Sequence, residues 1–216
     1  ETIGLLGRVY KDLWKRSGNP DDARCSLDTY RRGFEATGGY YTGINAAAME
    51  WLVGDKEIAQ ALARQVLALC QSAVIKPPGQ KDYWAWVTLG EACLLLGDDR
   101  EALAAYEQAF NLVEGKFAWI ISSLQQPRLL ANQGLPVPQP LFDLLKPPTV
   151  VVFTGHMLDH PKRGSPRFPP ESEHTVRKEI EMHLEALDAR IGYSSAACGA
   201  DLLFIEAMQE REAEVN

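Results

Sequence analysis

Long apolar runs and closely spaced cysteines are both missing from this sequence. No run of about 18 apolar residues occurs, so no transmembrane helix is expected, and no secretory signal is visible. The four cysteines are far apart and form no CxxC pair: Cys25, Cys70, Cys93 and Cys198. Disulfide and zinc frameworks are therefore not expected, and a reducing cytoplasm is the expected location.

An excess of positive charge is missing as well. The chain has 22 Lys and Arg against 29 Asp and Glu, a net charge of −7. Because binders of nucleic acid and anionic membranes carry basic surfaces, neither partner is expected. The 216 residues, 46% hydrophobic and 24% charged, are instead typical of a globular protein with one or two domains.

Complete catalytic and metal-binding motifs are missing too. The full G-x-G-x-x-G fingerprint does not occur, and no Ser, His and Asp can be assigned to a nucleophilic triad. All histidines lie between His156 and His183, but none is paired at i+4 on a predicted helix. Surface or hydrogen-bonding roles are therefore favoured over a metal site. The sequence predicts no catalytic residue, no metal ligand and no certain cofactor.

The clearest pattern that is present is an internal repeat. Trp86 to Gly90 match the W-x2-L-G opening of a tetratricopeptide repeat. The match continues in register at Cys93, at the turn residue Gly97, and in the second helix at Ala102, Tyr106 and Ala109. Gly90 and Ala102 are small where two helices approach closely. Gly97 ends one helix, and the aspartates after it supply an N-cap for the next.

Weaker copies of this repeat precede it, around Gly7 and around Gly54. Residues 1–115 therefore predict three helical hairpins stacked as a solenoid, with a loop at 76–80 and a capping helix at 117–132. An ordinary helical bundle is the alternative, but it does not explain the matched Gly and Ala register. Six aromatic residues could line a peptide groove or fill the hairpin core: Tyr40, Tyr41, Trp51, Tyr83, Trp84 and Trp86.

The pattern changes after a segment at 134–148 that contains five prolines in fifteen residues and predicts a linker with an apolar middle. Beyond it, apolar strand patterns at 150–153 and 189–194 alternate with helix patterns, the first capped by Ser172 and the second spanning 200–211. This order predicts a parallel α/β domain. A third strand is expected to start at Val215, just where the sequence ends, so most of it is expected to be missing and the chain is read as a piece of a larger protein.

The predicted fold class is thus an all-α, tetratricopeptide-like solenoid at 1–133, a linker at 134–148 and a partial Rossmann-like α/β domain at 149–216. In such domains, ligands bind where strands end. The two predicted strand-to-helix loops, together with the basic segment after the first, supply the candidate ligand residues: Thr154, Gly155, His156, Arg163, Arg167, Ser194, Ser195, Gly199 and Asp201.

Each of these residue types suits a phosphate-bearing ligand. Gly155 lets a ligand approach the backbone, and the start of the helix after Gly199 favours a phosphate. Arg163 and Arg167 would add positive charge, and Asp201 would either cap the helix or bind a ribose hydroxyl. The alternative is that both loops are ordinary tight turns of an α/β domain.

Residues 1–130 resemble the tetratricopeptide-like TRAF-binding domain of apoptosis-signal-regulating (MAP3-type) kinases. The resemblance is carried by GRVYKDLW at 7–14, YRRGFEATGGYYTGINAA at 30–47 and the repeat at 84–113. In those kinases the region is regulatory and engages other proteins, which implies a protein partner for these helical repeats.

Residues 149–216 resemble the start of a SLOG domain, a Rossmann-like superfamily with a pattern close to S-G-G-A-x-G-A-D. Ser194, Gly199, Ala200 and Asp201 keep that pattern, whereas Ser195 and Ala196 replace the usual glycines. Some SLOG domains hydrolyse the glycosidic bond of nucleoside monophosphates, and others are thought to sense nucleotide-derived signals. The acidic motif with an arginine that marks the hydrolases is not found here, so the resemblance favours a sensor of a nucleotide or ADP-ribose-like ligand.

The sequence therefore predicts a regulatory signalling protein that couples a protein-interaction module to a nucleotide-sensing domain. Two alternatives stay open. One is a nucleoside-phosphate hydrolase whose other catalytic residues lie beyond residue 216. The other is a pure interaction scaffold with no ligand.

Overall fold

The structure is a computed structural model that describes residues 2–75, 82–113 and 117–216. The loop predicted at 76–80 lies outside the described residues. The chain divides into two compact units, Glu1–Lys146 and Pro147–Asn216. In the described ranges, none of the helices is long and apolar enough to cross a membrane.

The first unit is helical. Its helices are α1 (Thr2–Ser17), α2 (Pro20–Thr37), α3 (Tyr40–Val53), α4 (Lys56–Val74), α5 (Tyr83–Leu96), α6 (Asp99–Phe110), α7 (Phe117–Asn132) and α8 (Gln139–Leu144). Successive pairs from α1 to α6 pack as hairpins, and each hairpin packs on the next. The predicted stack of three hairpins followed by one more helix is confirmed.

Small residues set the spacing within the hairpins, as the repeat register predicts. A Cβ atom added to Gly90 on α5 would lie 2.6 Å from the ring of Tyr106 on α6. One added to Gly7 on α1 would lie 2.9 Å from the ring of Tyr30 on α2. The same Gly–Tyr contact therefore joins the two helices of the first and third hairpins. At the predicted turn, Asp98 caps α6 by accepting a hydrogen bond from the backbone N–H of Glu101 at 3.1 Å.

The proline-rich segment belongs largely to the helical unit. Pro140 lies in the first turn of α8, where a missing N–H costs nothing. Leu141 and Leu145 are fully buried in the core that α3 to α7 build. The boundary between the two compact units falls after Lys146. The segment predicted as a linker therefore belongs largely to the helical unit, to which it adds one short helix.

The second unit is a small parallel α/β structure. It contains β1 (Thr149–Phe153), α9 (Glu173–Ala186), β2 (Ala189–Ser194), α10 (Ala200–Glu210) and β3 (Glu214–Val215), with the strands in the order β1–β2–β3. The third strand, expected to start at Val215 and to be missing, begins at Glu214 and pairs in parallel with β2. Ser172 occupies the N-cap position of α9, as predicted, but its side chain makes no capping hydrogen bond.

Both helices of this unit pack on one face of the sheet. Phe153 of β1 stacks on Phe204 of α10, with ring centroids 4.7 Å apart. Gly192 of β2 leaves room for the same ring, since an added Cβ would lie 2.9 Å from it. On the other face, Val150 and Val152 are exposed. The shared face holds the ends of β1 and β2 against the start of α10, which positions the two predicted ligand loops.

Candidate functional site

Asp201 ties the loops after β1 and β2 together. It lies in the first turn of α10 and is 3% exposed. One carboxylate oxygen accepts a hydrogen bond from the backbone N–H of Gly155 at 2.8 Å, and the other accepts one from the hydroxyl of Ser195. Both oxygens are therefore engaged by the protein itself, and the two loops form one structural unit.

The start of α10 lies directly against the loop after β1. Gly199 has φ of 133°, and an added Cβ would lie 2.5 Å from the carbonyl oxygen of His156. Only glycine fits such a conformation without strain. The backbone N–H of Ala200 donates to that same carbonyl at 3.1 Å. The first helical N–H that could meet a phosphate is thus already bonded within the chain.

The basic segment after β1 folds around a buried carboxylate. Asp159 accepts hydrogen bonds from the backbone N–H groups of Arg167 and Phe168, at 2.6 and 2.8 Å. The guanidinium of Arg163 lies 3.3 Å from the other oxygen of Asp159. Arg163 is therefore held by an ion pair, whereas the side chain of Arg167 is exposed on the loop.

The structure brings some of the predicted ligand residues together and separates others. Gly155, Ser195 and Asp201 contact one another, and Gly199 contacts the backbone of His156. Thr154 and the His156 side chain are exposed at the same edge, and the hydroxyl of Ser194 is buried with no hydrogen-bond partner in the described residues. Their assignment to a ligand stays a prediction.

Metal ligation has no support in the part of the chain that the structure describes. Among those residues, no three His, Cys, Asp or Glu side chains come close enough to hold an ion.

The six aromatic residues considered for a peptide groove have different surroundings. Tyr83 is buried and shares a hydrogen bond of 2.7 Å with the hydroxyl of Ser123. The hydroxyl of Tyr40 donates to Asp82 at 2.6 Å, and Trp51 lies under the ammonium of Lys56. Tyr41 and Trp84, in contrast, are partly exposed and line a pocket. The other four, Tyr40, Trp51, Tyr83 and Trp86, belong to the helical core or pack against it.

This inner pocket of the helical unit was not predicted from the sequence. It has a volume of about 410 Å³ and is lined mainly by α1, α3, α5 and α7. Four polar residues in it are each at least nine-tenths buried: Lys11, Asn45, Glu91 and Gln126. The ammonium of Lys11 donates to the amide oxygen of Asn45 at 3.1 Å and to that of Gln126.

Burial favours the neutral forms of the two buried charged side chains of the pocket, Lys11 and Glu91. Removal from water lowers the pKa of Lys11 to about 8, a shift that the nearby Glu91 carboxylate opposes. Removal from water raises the pKa of Glu91 to about 7, against the attraction of Lys11. A sequence signal for the pair does exist, since Lys11 lies on the same buried stripe as Gly4 and Gly7, and Glu91 interrupts an otherwise apolar helix.

Two comparisons bear on the helical unit. The profile of a family described as Tetratricopeptide Repeats-Sensor matches residues 1–50. The chain is also similar to mitogen-activated protein kinase kinase kinase 15 from Mus musculus, with 28% identity over 135 residues. That match covers 60% of this chain, which spans only about a tenth (10%) of the kinase's length. No solved structure matches the chain significantly.

Together with the stacked hairpins and their Gly–Tyr contacts, these matches support a tetratricopeptide-like domain in the helical unit. Domains of this class present extended surfaces to protein partners. The helical unit therefore indicates a role in protein–protein contacts or signalling.

Proposed function

We propose that this chain is a regulatory module of a signalling protein, in which the helical unit binds a protein partner through the outer face of α1. The observation that carries this proposal is an exposed apolar stripe on that helix. Leu5 is 59% exposed, Leu6 48%, Val9 53% and Leu13 43%. At about 100° per residue these side chains share the side of α1 that is turned away from Lys11.

Contiguous exposed apolar side chains of this kind mark contact surfaces on a folded domain. The similarity to a kinase kinase kinase suggests that the partner belongs to a signalling cascade. The inner face does not offer an extended groove, because Lys11 of α1 and Gln126 of α7 meet across it.

The test places a photo-cross-linking amino acid at Val9 in the source cells, with the same residue at Gln108, an exposed position on α6, as the matched control. A partner cross-linked from Val9 alone is then purified, and its affinity is measured for Leu13→Glu and for Gln108→Glu. We expect Leu13→Glu to weaken binding by at least about tenfold, since it places a charge in an apolar contact. Equal cross-linking from both positions, or equal affinities, would contradict the proposal.

A second proposed activity is the sensing of a nucleotide-derived ligand by the α/β unit as a SLOG-like, Rossmann-like domain. It is favoured by the hydroxyl of Ser194 at the end of β2, which has no hydrogen-bond partner among the described residues. The side chains of Thr154 and His156 after β1, and of Arg167 in the loop that follows, are exposed. Because α10 and Asp201 are already bonded to the loops, the ligand would contact the exposed groups rather than the helix start.

Calorimetry of the chain against ADP-ribose and AMP tests this activity. Arg167→Ala should abolish binding, whereas Lys162→Ala, an exposed cation in the same loop, should leave it intact. Absence of binding to both compounds, or equal binding by the two variants, would exclude this ligand site. Turnover of AMP would instead establish the hydrolase alternative.

A further inference from the structure

The inner pocket has the features of a built ligand site rather than of a packed core. Its volume of about 410 Å³ lies within the roughly 300–1,000 Å³ range of small-molecule sites. Lys11 and Asn45 are 9% exposed, and Glu91 and Gln126 are 8% exposed. Buried polar groups are costly unless they are paired, so four of them around a cavity call for an explanation.

The pairing inside the pocket is incomplete in one particular way. Lys11 has three N–H donors, and two of them meet the amide oxygens of Asn45 and Gln126. The amide nitrogen of Gln126 is buried and has no hydrogen-bond partner among the described residues. The ammonium of Lys11 and the amide nitrogen of Gln126 therefore each have an N–H donor to spare, and the partner that would satisfy them is a hydrogen-bond acceptor.

The surroundings add positive charge and an apolar wall. Arg8 and Lys15 line the pocket. They form ion pairs with Asp12 at 3.8 and 3.6 Å, and all three side chains are partly exposed. Trp84 and Tyr41 line it as well and are 38% and 46% exposed. Cations together with free N–H donors suit oxygen anions, and exposed rings suit a planar or apolar body.

We propose that the inner pocket binds a small organic anion, whose carboxylate or phosphate oxygens are held by Lys11 and the Gln126 amide while its apolar body lies against Trp84. The ligand is a small molecule and not an extended peptide, because the contact between Lys11 and Gln126 closes the inner face of the hairpins.

Binding of the anion is coupled to the protonation of Lys11 and Glu91. Lys11 loses its charge above its pKa of about 8, and Glu91 gains one above its pKa of about 7. Both changes oppose an anion, so its affinity falls by about tenfold between pH 7 and 9 from Lys11 alone. The other charged or titratable side chains that line the pocket are on α1 to α3: Arg8, Asp12, Lys15, Tyr30 and Tyr41. Behind the lining, Glu91 also interacts electrostatically with Cys70 on α4, Tyr83 on α5 and Tyr106 on α6. The lining of α7 contains only neutral side chains.

The experiment is calorimetry of the full chain with phenyl phosphate, phenylacetate and 2-phenylethanol, three probes with the same ring. We expect one or both anions to bind at pH 7 and the neutral alcohol not to bind. Binding of phenyl phosphate alone, or of phenylacetate alone, would identify which anionic group the pocket accepts. If neither anion binds, or if the alcohol binds as well as the anions, the proposal is overturned.

Three variants locate the site. Lys11→Gln removes the ammonium, and Gln126→Glu satisfies it with an internal carboxylate; each should weaken the anion by at least about tenfold. Arg128→Gln removes one exposed charge from α7 outside the pocket and should leave affinity within about twofold. Because Gln126→Glu keeps the buried ammonium of Lys11 paired, this variant tests the ligand site even if Lys11→Gln does not fold. Unchanged affinity in a folded Gln126→Glu variant overturns the assignment.

Discussion

The ammonium of Lys11 on α1 donates a hydrogen bond to the side-chain amide of Gln126 on α7, across a separation of 115 residues. A second bond from the same ammonium reaches Asn45 on α3 at 3.1 Å. Helices from the beginning, the middle and the end of the hairpin stack therefore meet at one buried cation. This contact converts the inner face of the repeats from an open groove into a pocket.

Close helix contact within the third hairpin predicts that Gly90→Ala is destabilising. The added methyl group would lie 2.6 Å from the Tyr106 ring and 3.3 Å from the backbone oxygen of Ala102, so the helices must shift apart. We expect a loss of about 1–3 kcal/mol in the free energy of unfolding, measured by urea denaturation followed by circular dichroism. Gly164→Ala adds the same atom in open space and is expected to change stability little. Equal effects of the two substitutions would contradict this packing.

The buried carboxyl of Glu91 predicts a pH-dependent stability. Its pKa rises from 4.5 to about 7 on folding, so the folded chain holds a proton that the unfolded chain releases. The free energy of unfolding then falls as the pH rises from about 4 to 7, by roughly 3 kcal/mol from this group. Glu91→Gln should remove that part of the slope.

The control for this prediction is Glu107→Gln, which removes an exposed carboxylate from α6. Its stability should keep the slope of the parent chain from pH 4 to 7. If Glu91→Gln and the parent chain show the same slope, Glu91 does not titrate as a buried group.

The position of Asp201 predicts that Asp201→Leu loosens the loop after β1. A leucine has a similar shape but no acceptor oxygen, so the hydrogen bonds from the Gly155 N–H and the Ser195 hydroxyl are both lost. A loss of about 1–3 kcal/mol is expected. Hydrogen exchange at the Gly155 amide should accelerate by about tenfold or more.

Glu185→Gln is the matched control, since it removes an exposed carboxylate from α9. Exchange at Gly155 should be unchanged in that variant. Unchanged exchange in Asp201→Leu would show that the carboxylate does not hold the loop.

The helical repeats could be predicted from the sequence because their determinants are local. Gly90, Gly97 and Asp98 mark a close approach, a helix end and a cap within a few residues of one another. The short helix α8 was not predicted because prolines dominate its sequence, and its formation depends on burying Leu141 and Leu145 against the hairpins.

The candidate sites likewise have parts that local sequence predicts and parts that depend on contacts between distant residues. The loops after β1 and β2 could be predicted because each follows a strand pattern, but the sequence could not show that Asp201 engages both of them. The inner pocket depends on Lys11 and Gln126, which lie 115 residues apart and come together only through the packing of the whole helical unit. No local pattern encodes that contact.

The contact between Lys11 and Gln126 is most directly tested by a double-mutant cycle with Lys11→Met and Gln126→Leu, measured as the free energy of unfolding in urea. A hydrogen bond to a buried ammonium predicts a coupling free energy of about 1–3 kcal/mol, with the double variant less destabilised than the sum of the single variants. Additive effects of the two substitutions would contradict the closed inner face and the pocket that depends on it.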